Sequence, residues 1–259
     1  MNYKITCAYD GTRYYGWQKQ PALPTVQGGI ERAFTDILST LGETVHVAAN
    51  GCSRTDGGVH AREYVFNAVL PETKPLPPQA LLRALNNKLP PDISVTACEK
   101  AEDDFHARFC AKGKEYVYRI RQSEIRNPFE ATRVLHYPYP TPLDTAKMNG
   151  AAKLLQGEHD FASYCAAEAV KRLSDTVRTI YNCAVTQEDG VVEITVSGNG
   201  FLYNMVRIIA GTLLEVSEGK RDIDGIRDSL ENPGRSKAGR TLPPPRAVSE
   251  QGLLLERVH

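Results

Sequence analysis

The order of hydrophobic periods along this chain leaves few architectures open. Residues 3–8 alternate as a strand does. A loop through Gly16, Trp17 and Gln18 follows, and Thr25 then offers a helix N-cap. Val26, Ile30, Ala33, Phe34, Ile37, Leu38 and Leu41 recur at helical spacing until Gly42. Residues 45–49 and 64–70 read as strands on either side of a glycine-rich turn over 51–58. Pro77-Pro78 opens a helix that Pro90-Pro91-Asp92 ends, and 93–98 is again a strand. The second half repeats the rhythm: a strand over 115–121, a helix over 143–155, and strands over 176–186 and 191–197 joined through Asp189-Gly190. A long apolar helix over 201–216, a short helix over 222–230 and a last strand over 253–258 complete it. Strands outnumber helices and many are consecutive, which predicts an α+β fold. The repeated strand–helix–strand order suggests two related α/β halves sharing a mixed, mostly antiparallel sheet around a central cleft.

At 259 residues, set against domains of roughly 150, the chain is one large domain or two fused smaller ones. The expected halves are 1–105 and 106–259, with a proline-rich connection near 137–143. With 41% hydrophobic and 24% charged residues, disordered, collagenous and fibrous classes are excluded. No apolar run approaches the ~18 residues of a membrane span, and the first residues lack the apolar core of a signal peptide. Cys7, Cys52, Cys98, Cys110, Cys165 and Cys183 are scattered without a C-x-x-C pair. They read as reduced thiols of a cytoplasmic protein.

Thirty-one basic residues balance thirty-one acidic ones. Neutrality argues against a wholly basic nucleic-acid binder, yet the cations cluster. Arg108, Lys112, Lys114, Arg119, Arg121 and Arg126 form one run; Arg235, Lys237, Arg240 and Arg246 form another. Each is either a solvated face or a phosphate-contacting surface.

The most informative segment is Ser53-Arg54-Thr55-Asp56-Gly57-Gly58-Val59-His60-Ala61. Glycines allow a tight bend and close backbone approach, and catalytic groups concentrate on loops carried by rigid sheets. Asp56 is either a reactive carboxylate or an Asx-turn residue; Arg54 is a functional or a surface cation; His60 suits a structural hydrogen bond. No His or Cys set has metal-ligand spacing, so no metal is expected. Tyr9-Asp10-Gly11-Thr12-Arg13-Tyr14-Tyr15-Gly16-Trp17-Gln18 suits either base stacking or a packed Tyr/Trp corner. Tyr116 and Tyr118 share a strand face, as core or as site. Arg207 interrupts an otherwise apolar helix. It therefore needs an anionic partner, for which Asp56 is a candidate, or it snorkels to the surface.

These segments, with Phe105-His106-Ala107-Arg108, Lys114-x-Tyr116-x-Tyr118, Met205-Val206-Arg207-x-Ile209-x-Gly211 and Gly252-Leu253-x-Leu255, occur in an order that resembles the tRNA pseudouridine synthase A family. Ser53 and Gly57 stand where that family usually has Gly and Ala. The resemblance implies the pseudouridine synthase fold and a cytoplasmic homodimer that binds tRNA. It also implies a cofactor-free isomerisation of uridine to pseudouridine in the anticodon stem-loop. By that resemblance Asp56 is the essential carboxylate, attacking sugar or base or removing a proton. Tyr116 would pack on the target base, Arg207 would pair with Asp56, Leu253 would close the pocket, and Arg54 would hold the nucleotide out of its stack. Arg108, Lys112 and Lys114 would contact RNA. A glycosidic hydrolase would want a second carboxylate near Asp56, and the motif offers none. A non-catalytic RNA-binding protein would have no use for the intact aspartate motif.

Overall fold

The computed structural model describes residues 1–73, 75–233 and 252–259. The cluster Arg235, Lys237, Arg240 and Arg246 lies outside them. Contacts divide the chain into two compact units, Met1–Lys112 with Leu255–His259, and Gly113–Leu254. None of the described helices is long and apolar enough to cross a membrane.

The first unit runs β1 (Asn2–Tyr9), α1 (Val26–Thr40), β2 (Asn50–Gly51), β3 (His60–Val69), α2 (Pro78–Lys88) and β4 (Ile93–Lys100), and it takes up the last residues of the final strand. β1 is central, antiparallel to both β3 and β4. Its alternation is visible in burial: Tyr3, Ile5 and Cys7 are fully enclosed while Lys4, Thr6 and Ala8 are not. Ile30, Phe34 and Leu38 of α1 and Leu81 and Leu85 of α2 share that core. Thr25 caps α1 as the sequence predicts, its Oγ1 accepting from the Gly28 N–H at 3.2 Å. On β4 the Asn86 amide acts as a one-residue strand. It donates to Val95 O and accepts from Val95 N, both at 2.8 Å, and so covers part of an edge.

The expected strand over 45–49 does not form; only Asn50 and Gly51 pair with β3. The Ala49 N–H is instead taken by the Glu31 carboxylate of α1 at 3.3 Å, so a side chain replaces the ladder. Residues 106–112 are held within the first unit. The Ala107 N–H donates to Asn67 Oδ1 at 3.1 Å, and the Lys112 N–H donates to His259 O at 2.6 Å.

The second unit contains β5 (Lys114–Gln122), β6 (Leu135–Tyr137), α3 (Thr145–Leu154), β7 (Gly157–Asp160), α4 (Ala167–Val170), β8 (Val177–Glu188), β9 (Val191–Gly198), α5 (Met205–Ser217) and α6 (Ile223–Glu231); β10 (Leu253–Val258) begins in it. Its strands run β5-β9-β8-β7, antiparallel, with β6 added parallel to β5, so the chain is α+β with a mixed, mostly antiparallel pattern. The β8–β9 turn puts Asp189 at φ 48° and Gly190 at φ 74°. Two positive φ angles in succession twist a two-residue turn to match its strands.

The proline-rich stretch is not a linker between units. It lies inside the second unit, where the Gln122 amide donates to Tyr139 O at 2.9 Å and accepts from Leu143 N at 3.0 Å. Prolines bar it from helix and ladder, and one side chain satisfies its backbone instead. β7 and α4, like β6, are too short to leave a period in the sequence. α5 starts at Met205 and not at 201, because Asn204 takes a left-handed φ of 61° that a helix interior does not allow.

Candidate active site

The Asp56 bend joins β2 to β3. Its first residues are fixed by β3: the Cys52 N–H donates to Val65 O at 2.9 Å, and the Tyr64 hydroxyl donates to Ser53 O. Its middle is fixed by the N-terminal loop. The Trp17 N–H donates to Thr55 O at 3.1 Å, the Gly58 N–H donates to Tyr14 O at 3.1 Å, and the hydroxyls of Tyr9 and Thr55 share a buried hydrogen bond of 2.8 Å. This approach requires glycine. A Cβ on Gly16, at φ +90°, would stand 2.4 Å from Thr55 O, and one on Gly11 would stand 2.0 Å from Val59 O. The two motif segments are thus one object, with the chain around Asp56 held on both sides. Along it Arg54 is exposed, Thr55 buried and Asp56 half-buried.

The clamp is itself anchored. The first N–H groups of α1, from Val26 and Gln27, donate to Gly16 O and Trp17 O at 3.2 and 3.0 Å. Lys19 Nζ reaches the buried Glu31 carboxylate at 2.9 Å, beside donors from Gln27 and Ala49. Burial alone would raise the Glu31 pKa. The hydrogen bonds from Lys19, Ala49 and Gln27 outweigh it and hold the carboxylate below its usual range. His60 is enclosed, as expected of a structural residue. Its Nδ1 lies 3.1 Å from the Gly11 N–H and 3.2 Å from Asp10 Oδ1.

The N-terminal aromatics are largely a packed corner. Trp17, 3% exposed, stacks on Tyr64 with ring centroids 4.0 Å apart, and Tyr9 and Phe66 close the cluster. Tyr14 is enclosed and donates to Asp92 Oδ1 at 2.7 Å; burial and then that carboxylate push its phenol up. Tyr9, Tyr14 and Trp17 are thereby closed to base stacking, whereas Tyr15 faces solvent.

In the second unit Tyr116 lies on β5, 6% exposed, its ring edge-on to Phe201 at 5.2 Å. Tyr118 is buried. Arg207, in the first turn of α5, is half-buried rather than enclosed, and its Nη1 donates to Asn204 Oδ1 at 3.0 Å. Leu253 is buried, directly after Gly252, whose carbonyl accepts from the Arg119 N–H at 2.9 Å. Of the first basic run, Arg119 and Arg121 are bound by Glu193 and Glu130. Arg108 is exposed with its guanidinium 5.9 Å from the Phe109 ring centroid, Lys112 is exposed and Lys114 half-buried. Thr55, Tyr9 and Phe201 join the surroundings of the motif residues without a strong signal of their own in the sequence. The only signal for Thr55 is its place between Arg54 and Asp56.

A family model described as tRNA pseudouridine synthase matches residues 5–110 and 151–258. Proteins called tRNA pseudouridine synthase A are similar over nearly the whole length. The one from Geobacillus sp. (strain WCH70) is 44% identical over 258 residues, covering 99% of this chain and 97% of the relative. That of Listeria monocytogenes serovar 1/2a is 44% identical over 260 residues, 99% of this chain and 98% of the relative. That of Latilactobacillus sakei is 40% identical over 261 residues, 100% and 98%. The clamped aspartate bend and matches that span the chain lead to one conclusion: this chain belongs to the tRNA pseudouridine synthase family.

Proposed function

We propose that the protein converts uridine to pseudouridine in the anticodon stem-loop of tRNA, with Asp56 as the essential carboxylate. The supporting observation is the bend itself: a half-buried acid on backbone held by two N–H···O bonds and a buried hydroxyl pair. Such a mounting keeps a reacting group within a narrow range of positions.

The chemistry conserves atoms. The bond from C1′ to N1 breaks, the detached uracil turns, a bond from C1′ to C5 forms, and C5 gives up its proton while N1 gains one. A base within a stem must first leave its stack, at a few kcal/mol. Packing on an aromatic ring returns about 1–3 kcal/mol, a task that falls to Tyr116. Arg207 pairs with Asp56 and keeps it ionised away from water. Leu253 closes against the base, and Arg54 holds the nucleotide extruded. Arg108, Lys112 and Lys114 contact phosphates, which set register and supply salt-dependent affinity. The protein works in the cytoplasm as a homodimer whose two copies grip one tRNA, without a cofactor.

The test is an unmodified tRNA transcript carrying tritium at C5 of its uridines. Isomerisation releases tritium to water while the RNA keeps its mass and every base. Release of free uracil would make the protein a hydrolase, and binding without tritium release would make it a non-catalytic RNA-binding protein.

A further inference from the structure

Within the second unit, β8 breaks its own alternation at Tyr181. Ile180 and Cys183 are three residues apart and in an unbroken strand would face opposite sides. Both are buried, and Tyr181 and Asn182 between them are both exposed. The ladder explains this: its register with β9 shifts between Ile180, opposite Gly198, and Asn182, opposite Ser197. An irregularity of this kind re-aims a side chain out of the strand's alternation.

The ring it re-aims is 55% exposed and is held from below. A Cβ on Gly113 would lie 3.1 Å from Tyr181 Cε2 and 3.1 Å from Gly198 O, so a larger residue there would have to displace the ring. Gly198 also has no room for a side chain, since its Cβ would lie 2.6 Å from Thr179 O. Gly113 stands in the chain between Lys112 and Lys114, the first exposed and the second half-buried. A supported aromatic face over Gly113, with Lys114 the next residue of the same unit, offers a nucleotide a ring for its base and positive charge for its phosphate. Lysine is depleted from the cores of contacts between proteins, which disfavours a second copy of the chain as the occupant.

We propose that Tyr181 stacks on an unpaired base of the bound tRNA while Lys114 meets the adjoining phosphate. This rests on the reading of the protein as a tRNA-modifying enzyme and adds a contact outside the group that surrounds the reacting uridine.

The probe is an unmodified tRNA transcript, with filter binding across a salt series, tritium release at saturating RNA, and gel filtration of the free protein. Tyr181→Ala is expected to weaken binding about ten-fold. The slope of log affinity against log salt should not change, because no charge is removed. Tyr181→Phe should bind within about two-fold of wild type, and Tyr181→Leu, apolar but without a π face, should fall with Ala. Lys114→Ala should lower the salt slope by about one. Wild-type affinity in Tyr181→Ala, or Leu binding as well as Phe, overturns the proposal. So does a changed elution volume of free Tyr181→Ala, which would make the ring a contact between copies. Should Tyr181→Ala fail to fold, the Phe and Leu variants decide the matter alone. Tritium release by the wild type separates the two readings. Its absence overturns the enzymatic assignment, whereas release with unchanged Tyr181→Ala affinity overturns only the stacking contact.

Discussion

Two segments of the first unit share an aromatic and cationic character and meet opposite fates. The loop over 10–18 and the segment over 105–112 both mix aromatic rings with arginine or lysine. In the first, Trp17 is sealed against Tyr64, and Tyr14 and Arg13 are bound to Asp92. In the second, Phe109 is 77% exposed, with Arg108 over its ring and His106 4.5 Å from it. Aromatic–cationic composition therefore does not by itself mark an RNA surface. The deciding factor is whether neighbouring glycines and helix ends draw the segment inward, as Gly11, Gly16 and the start of α1 do for the first.

Truncation should expose this difference most strongly. Trp17→Ala should destabilise the fold by roughly 3–5 kcal/mol. Phe109→Ala should stay within about 0.5 kcal/mol. Chemical denaturation of both variants checks the contrast, and equal losses would erase it. Next in size is Gly16→Ala, which puts a Cβ against Thr55 O at a positive φ. A loss of about 2 kcal/mol is expected, with turnover at saturating tRNA falling more than affinity, since the displaced backbone leads to Asp56. An unchanged turnover number would mean the clamp does not position the bend.

Glu31 gives a smaller, pH-dependent effect. Its folded pKa lies below the unfolded value, so the stability it contributes is fully present above the unfolded pKa of about 4.3 and is lost as pH falls through the folded one. Melting temperature against pH should show this acid-side loss in the wild type and a flatter curve in Glu31→Gln; parallel curves would contradict it. The least effect on stability belongs to Arg108→Ala. It should leave the fold unchanged, weaken tRNA binding a few-fold and lower the salt slope by about one. An unchanged slope would move the RNA path away from this exposed segment.

Much of this was legible in the sequence, unevenly. Periods of two and 3.6 located β1, α1, α2, β9 and β10, because those elements each bury one continuous stripe, and β8 in spite of its break at Tyr181. The aspartate bend announced itself through its glycines. Residues 45–49 misled because Val45 and Val47 alternate as a strand does, whereas the partner of that segment is the Glu31 side chain, which no local pattern reveals. Arg207 looked buried because its helix neighbours are apolar, yet it lies in the first turn of α5, where Asn204 supplies an acceptor. The Tyr9–Thr55 bond joins residues 46 positions apart. Pairings of that range depend on register, which a single sequence does not display.

Replacing Asp56 by Asn keeps the size of the side chain and removes its charge. Tritium release from C5-labelled tRNA under single-turnover conditions, with the RNA saturated by excess variant, should fall to background while affinity stays within about ten-fold of wild type, since phosphate contacts dominate binding. Wild-type release rates from Asp56→Asn would show that the bend between β2 and β3 is a structural turn and that the reacting group lies elsewhere.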